Sequence, residues 1–398
     1  MITISTPRIV QEPGYARLEA EIDVDGLKRP LFFRIADQYA SFLCPERSDA
    51  FLVALLFHAM DHGHDLQIDG MLDAQLFYQI ESTLLDFLIS IYPERGLHRC
   101  RITATLNGER LPTENASGTG ISCGIDSLAA VARQGEAKYG PMSLTHLCFF
   151  NTGSHGETGT PAELQLFEDR RERSRDFCAA AGYPFVEVVS NLSELVDPNF
   201  GLTHTYRNIS AVLALQKLFA SYYYASAYTA PSFLEHTDDP AYFEILLLPL
   251  LSTRNTRFYS AETTVGRFDK TRVVADYPLS RTFLNVCNVQ NINCGRCNKC
   301  LRTLLALDAL GKLDDFTAVF DIPSYRAHRR QHLAYHYDRY LEGEHSHLEL
   351  HPHIKNQLGF RDILGGSIAR GIASGKDQLR RYKLLHAILK RLIKPSRI

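Results

Sequence analysis

The feature that most restricts the fold of this chain is a regular alternation of strand-like and helical segments between residues 127 and 229. Apolar residues at helical spacing, or in short continuous runs, predict helix and strand in turn. The predicted bounds are 127–134, 144–151, 161–181, 184–190, 208–219 and 222–229. Because a helix between two strands favours parallel pairing, we predict an α/β fold with a doubly wound, mostly parallel, Rossmann-like sheet. In such sheets, ligands bind outside the carboxyl ends of the strands.

The first 110 residues predict a separate α+β accessory module, in which we find no catalytic signature. Alternating apolar and polar residues flank Asp25-Gly26, which is typical of a β-hairpin. Ser48 is predicted to cap a helix over 49–61. The remaining elements are predicted at 15–24, 31–35, 72–92 and 101–106. Residues 111–119, LPTENASGT, are predicted to be a polar linker at the start of a second domain, 111–313.

Residues 314–398 predict a helical C-terminal extension. From Arg370 to Arg397 there are nine Lys or Arg residues and one acid, Asp377. This last segment is interpreted either as a basic helix that binds nucleic acid or an acidic protein, or as a docked helix with a solvated basic face. Helically spaced His328, His332 and His336 are predicted to be surface histidines rather than a metal site.

The composition excludes some broad classes of protein. Of 398 residues, 45% are hydrophobic, and the net charge of −2 gives no general attraction to nucleic acid or membranes. Apolar runs such as 245–251 are too short to span a bilayer, and the N-terminus lacks the apolar core of a signal peptide. Four of the nine cysteines are clustered, as expected in a reducing compartment. We therefore predict a cytoplasmic protein without a membrane partner.

The cysteine cluster is the strongest single motif. Cys287, Cys294, Cys297 and Cys300 place four sulfurs within fourteen residues, and Gly295 favours a tight turn between two of them. Four thiolates suit a tetrahedral structural Zn²⁺ site. An iron–sulfur cluster is the alternative.

The stretch Gly120–Val131, GISCGIDSLAAV, supports two chemistries. Its first five residues match G-x-S-x-G, in which Ser122 would be the nucleophile of a serine hydrolase. The other interpretation is a phosphate-binding loop: small residues at Ser122, Gly124 and Ser127 would let backbone N–H groups approach an anion ahead of a helix. Asp126 could then accept hydrogen bonds from the loop or help hold Mg²⁺.

The loop at residues 122–127 resembles a motif of a known family. Ser122-Cys123-Gly124-Ile125-Asp126-Ser127 is similar to the S-G-G-x-D-S loop of the PP-loop ATP pyrophosphatases, and within that family to the 7-cyano-7-deazaguanine synthase branch. The resemblance continues in order over about residues 116–310, where the matching segments are Phe150 to His155, the charged helix with Glu163 and Glu168, Tyr206-Arg207-Asn208, Pro249-Leu250, Lys270 and the cysteine cluster. Cys123 departs from the family's glycine. A Cβ at this position would be strained if φ were positive.

The resemblance implies an ATP-dependent carbon–nitrogen ligase that activates a carboxylate as an acyl adenylate. It implies ATP and Mg²⁺ as ligands, with catalytic roles for Asp126, Lys270 and Arg207. Residues 122–127, Asn151, Gly153 and Asn208 would bind the nucleotide. The carboxylate would be purine-like, such as 7-carboxy-7-deazaguanine, and the amine could belong to a partner protein, in antiviral defence or a biosynthetic cluster.

Other readings of function stay open at this stage. An RNA-modifying PP-loop ligase or thiolase, a catalytically degenerate nucleotide-binding subunit and the serine hydrolase are the alternatives. A homodimer is one possible assembly of this chain.

Overall fold

A computed structural model of the chain describes residues 1–136, 139–153, 161–196 and 199–359. The chain divides into two compact units. The first comprises Met1–Val286 and Gln290–Ile292, and the second comprises Cys287–Val289 and the residues from Asn293 onward. The predicted boundary at residues 110 and 111 does not separate these units, since both of its sides lie in the first.

The first unit contains an eleven-stranded sheet. Its strands are β1 (Ile2–Ile4), β2 (Arg8–Glu12), β3 (Tyr15–Val24), β4 (Leu27–Ala36), β5 (Leu66–Asp73), β6 (Ile102–Asn107), β7 (Ala116–Gly120), β8 (His146–Asn151), β9 (Phe185–Ser190), β10 (Phe219–Ala225) and β11 (Arg257–Ala261). The order is β11-β10-β7-β8-β9-β4-β3-β1-β5-β6, and β2 pairs with β3. The five strands from β7 to β11 are all parallel. The prediction of an α/β fold with a large, mostly parallel sheet is confirmed.

The N-terminal strands continue the same sheet. Strand β4 pairs antiparallel with β9, with Phe33 opposite Ser190 and Arg34 opposite Val189. The predicted hairpin is also confirmed, because β3 and β4 are joined by Asp25 and Gly26 alone. Both turn residues have positive φ, 53° and 91°, as a type I′ turn requires.

The prediction of a polar linker through residue 119 is wrong, because Ala116–Gly120 forms strand β7 near the middle of the parallel strands. The strand has small residues because its neighbours are aromatic. A Cβ on Gly118 would lie 2.8 Å from the Phe219 ring. The polar side chain of Thr119 is buried, and its hydroxyl donates to the carbonyl of Tyr223 at 2.6 Å. Polarity therefore did not indicate exposure in this segment.

The helices of the first unit lie between these strands in sequence or, for the last two, after β11. They are α1 (Asp49–Asp61), α2 (Ala74–Gln79), which continues through a π-helical turn into α3 (Leu85–Ile91), α4 (Ile125–Glu136), α5 (Pro161–Ala181), α6 (Phe200–Leu213), α7 (Glu244–Leu250), α8 (Arg267–Asp276) and α9 (Ser280–Phe283). Helices α1 and α5 have the predicted bounds.

The bounds predicted for the helix at 208–219 and the strand at 222–229 are wrong. Helix α6 begins eight residues earlier, where the side chain of Asn199 accepts a hydrogen bond from the N–H of Leu202. Its polar first turns, which suggested a loop, make specific contacts: the hydroxyl of Thr203, for example, donates to the carbonyl of Asn199. The helix ends at Leu213 and β10 begins at Phe219, so Arg207 lies inside a helix rather than before one.

The second unit is helical in its described part. Its helices are α10 (Asn298–Ala309), α11 (Ile322–Leu341) and α12 (His345–Ile354). The prediction of surface histidines is wrong for His336, which is fully buried and lies within hydrogen-bond distance of His347 and His351. The predicted basic helix lies outside the described residues. No helix in the described ranges is long and apolar enough to cross a membrane.

Candidate functional site

The loop 121–124 leaves the sheet where the order of the parallel strands reverses. It joins the carboxyl end of β7 to the start of α4, and β7 lies between β8 and β10. The chain thus continues from β7 to β8 and β9 on one side, and then crosses to β10 and β11 on the other. Ligands of open parallel sheets bind at such a reversal of strand order, outside the carboxyl ends.

Two serine hydroxyls hold the loop in shape. The Oγ atoms of Ser122 and Ser127 lie 3.2 Å apart, and the Ser127 hydroxyl donates to the carbonyl of Gly124 at 3.1 Å. The N–H of Gly124 points to Ser122 Oγ at 3.4 Å. Ser122 is exposed, whereas Ser127 is buried at the start of α4 next to buried Ile125. The Ser122 hydroxyl thus lies next to the first turn of α4, whose N–H groups have no partner within the helix.

Cys123 has a positive φ of 56°, the conformation that favours glycine. Its thiol is fully buried, and burial raises the pKa of Cys123 to about 12. The carbonyl of the same residue accepts from the N–H of Asn285 at 2.8 Å, which anchors the loop. The thiol is thus a packed group, because a reactive thiolate needs a low pKa and access to solvent.

Asp126 and Lys270, which the sequence analysis singled out as catalytic, lie next to each other. Lys270 Nζ is 3.6 Å from Asp126 Oδ1, and it donates to the carbonyl of Ser226 at 2.5 Å. Arg267 Nη1 is 2.5 Å from Asp126 Oδ2. Sequence reasoning missed Arg267, although its i, i+3 spacing from Lys270 places both cations on one face of α8.

Arg207, the third predicted catalytic residue, lies where β8 ends. Its guanidinium donates to the carbonyl of Thr152, the hydroxyl of Ser193 and the hydroxyl of Thr203, and it is 1% exposed. Gly153 has a φ of 110°, and a Cβ there would lie 2.5 Å from Arg207 Nη1. The arginine thus clamps the turn after β8 through a position that only glycine can fill.

Two predicted nucleotide-binding residues lie near this turn. Asn208 accepts from the hydroxyl of Thr152 at 3.1 Å and donates to the Tyr224 hydroxyl at 3.0 Å. Asn151 is buried at the carboxyl end of β8, and its side-chain oxygen has no hydrogen-bond partner among the described residues. A buried acceptor of this kind is a favourable place for a ligand donor.

A buried acid that the sequence analysis did not single out lies in the same unit. Glu244 is 1% exposed, and its Oε1 accepts from the hydroxyl of Thr205 at 2.8 Å. Burial raises the pKa of Glu244 to about 7, against the opposing effects of nearby His204 and Lys270. The signal that could have revealed it is a lone acid ahead of the apolar run at 245–251.

The second unit contains the cysteine centre. The sulfur atoms of Cys287, Cys294, Cys297 and Cys300 all lie within 4.8 Å of one another, so they could hold a metal ion such as zinc. Gly295 has a φ of 67°, and the turn directs the N–H groups of the next two residues at Cys294 Sγ, 3.5 and 3.3 Å away. A tetrahedral zinc with four sulfur ligands would separate them by about 3.8 Å.

The four thiols also affect one another's protonation. Burial, together with the neighbouring cysteines, raises the pKa of both Cys297 and Cys300. Four thiolates at this separation would repel one another strongly without a cation, so the thiols then keep their protons. A divalent metal favours the thiolate form instead. The donor set therefore suits a structural metal with no open position.

The chain matches no family model, no curated protein and no solved structure.

Proposed function

We propose that this chain is an ATP-dependent adenylating ligase of the PP-loop type, which activates a purine-like carboxylate for attack by an amine. The observation that carries the proposal is the loop 121–124 at the reversal of strand order, with Asp126, Lys270 and Arg267 beside it. A doubly wound sheet, a small-residue loop and a helix N-terminus are together suited to binding a phosphate chain.

The roles follow from the positions of the groups. The N–H groups of the loop, with the hydroxyls of Ser122 and Ser127, would hold the departing pyrophosphate. Lys270 and Arg267 would stabilise the negative charge that develops on the phosphates. Electrostatic stabilisation of this kind is the main source of rate acceleration in phosphoryl transfer. Mg²⁺, when bound with ATP, supplies further neutralisation of that charge. Because Asp126 already faces two cationic side chains, we assign it to orienting them.

Arg207 and the asparagines would form the nucleotide side of the site. Arg207 fixes the turn at residues 152 and 153, and the unsatisfied oxygen of Asn151 offers an acceptor at the end of β8. Asn208 is held between Thr152 and Tyr224, so its orientation is fixed before any ligand binds. Asn151 and Asn208 keep their predicted contribution to ATP binding. Arg207, which was predicted to be catalytic, is assigned instead to positioning the turn that carries the nucleotide side of the site.

The acyl acceptor is a nitrogen nucleophile. In the proposed sequence the substrate carboxylate attacks the α-phosphorus of ATP, pyrophosphate leaves, and an amine then displaces AMP to form an amide. We propose an amine on a partner protein as the acceptor and the cysteine centre as a structural zinc site. The assay is incubation with ATP, Mg²⁺ and 7-carboxy-7-deazaguanine, with AMP and pyrophosphate measured by chromatography.

A matched pair of variants tests the loop. Ser122→Ala removes a proposed phosphate ligand and should lower AMP formation about 10- to 100-fold, the value of a hydrogen bond to a charged group. Ser82→Ala removes an exposed hydroxyl whose hydrogen-bond contact is its neighbour Thr83, and it should leave the rate unchanged. Absence of AMP above the ATP-only background would refute the substrate assignment.

The serine hydrolase needs separate consideration, because a nucleophile elbow follows a strand and a strand does precede Ser122. The hydrogen-bond partners of Ser122 support the phosphate-binding loop rather than the hydrolase. In the described ranges its hydroxyl contacts Ser127 Oγ and the N–H of Gly124, and no histidine nitrogen hydrogen-bonds to it. A serine nucleophile needs a general base within hydrogen-bond reach. Labelling of Ser122 by a serine-directed probe, together with turnover that does not need ATP, would reverse this conclusion.

A further inference from the structure

A cavity of about 440 Å³ lies at the edge of the parallel strands opposite the loop 121–124. Its lining includes Asn115, which precedes β7, Ser221 near the start of β10, and Arg257, the first residue of β11. These residues mark the amino ends of the strands, whereas the loop leaves from a carboxyl end. The cavity is therefore separate from the proposed adenylation site.

Among the described residues, three arginines and no acidic residue line this cavity. Arg110, Arg254 and Arg257 are all exposed. Within the part of the chain that the structure describes, none of their guanidinium groups forms an ion pair or donates a hydrogen bond. Three like charges around one opening repel each other. A bound anion would relieve that repulsion, and guanidinium groups match phosphate geometry well.

The backbone around the arginines is held rigidly. The N–H of Arg254 donates to Asp73 Oδ2 at 3.3 Å. The Asn255 amide donates to the carbonyl of Leu111 and to the hydroxyl of Thr113, both at 2.8 Å, and its oxygen accepts from the Leu111 N–H at 3.0 Å. These bonds tie the segment that carries Arg254 to the one that carries Arg110. The cations are thus presented by a fixed framework, which reduces the entropy lost on binding.

An aromatic ring completes the cavity. Tyr259 lines it with 37% of its surface exposed, and its ring lies 5.8 Å from that of Tyr223 behind it. An exposed, supported ring among cations is the arrangement that stacks a nucleic-acid base. An acidic peptide would neutralise the arginines, but its carboxylates would not stack on the Tyr259 ring. The volume is at the lower end of the range for small-molecule sites, about 300–1,000 Å³.

We propose that this cavity binds one nucleotide unit, with its phosphate on Arg110, Arg254 and Arg257 and its base on Tyr259. The unit could be a free nucleotide or part of a single-stranded nucleic acid. The proposal goes beyond the proposed ligase function and does not depend on it.

Fluorescence anisotropy with a labelled uridine hexanucleotide tests the proposal, with unlabelled UMP as competitor. The double variant Arg254→Gln/Arg257→Gln should weaken binding at least about tenfold and lower the slope of log K against log salt by about 0.7, the value for one phosphate contact on a single strand. Tyr259→Leu should weaken binding with little change in slope. Arg29→Gln, which removes an exposed arginine on β4, is the matched control and should have no effect.

Two further arms complete the test. Ser122→Ala should bind the hexanucleotide normally, which separates this cavity from the loop, and a failed adenylation assay would leave the result standing. Competition by UMP at a concentration similar to that of the hexanucleotide identifies a free nucleotide as the ligand, and weak competition identifies a strand. Equal binding by the arginine double variant, or tighter binding of hexaglutamate than of the hexanucleotide, overturns the proposal.

Discussion

The ammonium group of Lys270 lies 3.6 Å from the carboxylate of Asp126, and the lysine side chain is 1% exposed. The pair connects the first turn of α4 to α8. A buried ammonium is unfavourable unless it has polar partners, and here the partners are the Asp126 carboxylate and the carbonyl of Ser226. This pair therefore has a structural role as well as the proposed role in charge stabilisation.

Asp126→Asn should destabilise the first unit by about 2–3 kcal/mol. It leaves Lys270 and Arg267 close together without their shared anion, and the loss of one partner from a buried pair costs about 3–5 kcal/mol. We expect somewhat less because the Asp126 side chain is 26% exposed. Urea unfolding at neutral pH measures the change.

The matched control is Asp269→Asn, on the same helix as Lys270. Asp269 pairs with Arg272 at 2.5 Å, but both side chains are about half exposed. Exposed pairs contribute about 0–1 kcal/mol, so this variant should be nearly neutral. Equal destabilisation by the two variants would mean that Asp126 has no special role in holding the buried lysine.

The strand-and-helix order was predictable from the sequence where apolar periodicity was strong, as in α1 and α5. It was not predictable at β7, because a strand of Ala, Ser, Gly and Thr looks like a linker. What makes it a strand is the packing of Phe219 and Tyr222 against Gly118, which is tertiary information. The start of α6 was missed for a related reason: Thr203 and Thr205 are polar, and their partners became known only from the fold.

The candidate site was predictable in its loop and less so in its surroundings. Residues 122–127 form a local motif, and so do the four cysteines. Arg267 and Glu244 were missed because their importance comes from contacts with distant segments, at Asp126 and Thr205. The joining of β4 to β9 is equally long-range, and it extends the predicted parallel sheet into the N-terminal segment.

At Cys123 we predict that a glycine variant is more stable than an alanine variant, which is the reverse of the usual order. With a φ of 56°, Cys123→Ala keeps the Cβ strain and loses the buried sulfur, whereas Cys123→Gly loses the sulfur but removes the strain. A left-handed conformation costs a residue with a Cβ about 1–2 kcal/mol. The glycine variant should therefore be more stable than the alanine variant by about 1 kcal/mol in urea unfolding, although glycine is normally the less stable of the two. An alanine variant as stable as the glycine variant would contradict the left-handed conformation.

The cysteine centre predicts one equivalent of zinc per chain. Cys297→Ala should abolish stoichiometric metal and lower the stability of the second unit, because metal binding to such sites is coupled to folding. Cys100→Ala removes a fully buried thiol outside the centre and should keep the metal. Elemental analysis of the purified proteins measures the zinc content. Stoichiometric iron with a visible absorbance band in place of zinc would identify a cluster instead.

Glu244 should make folding stability fall as the pH rises through the range from about 4.5 to 7. Burial raises the pKa of this carboxyl to about 7 in the folded chain from 4.5, so the folded state binds more protons between these values than the unfolded state. The loss of folding stability is absent below pH 4.5 and complete above pH 7, where it reaches at most about 3 kcal/mol.

Glu244→Gln keeps an acceptor for Thr205 but cannot ionise, so it should gain stability over the natural chain at pH 8 and not at pH 4.5. Asp49, whose pKa burial raises to about 6, acts in the same direction in both proteins and cancels in the difference. Urea unfolding of both proteins across this range measures the gain, and a constant difference would show that Glu244 does not titrate there.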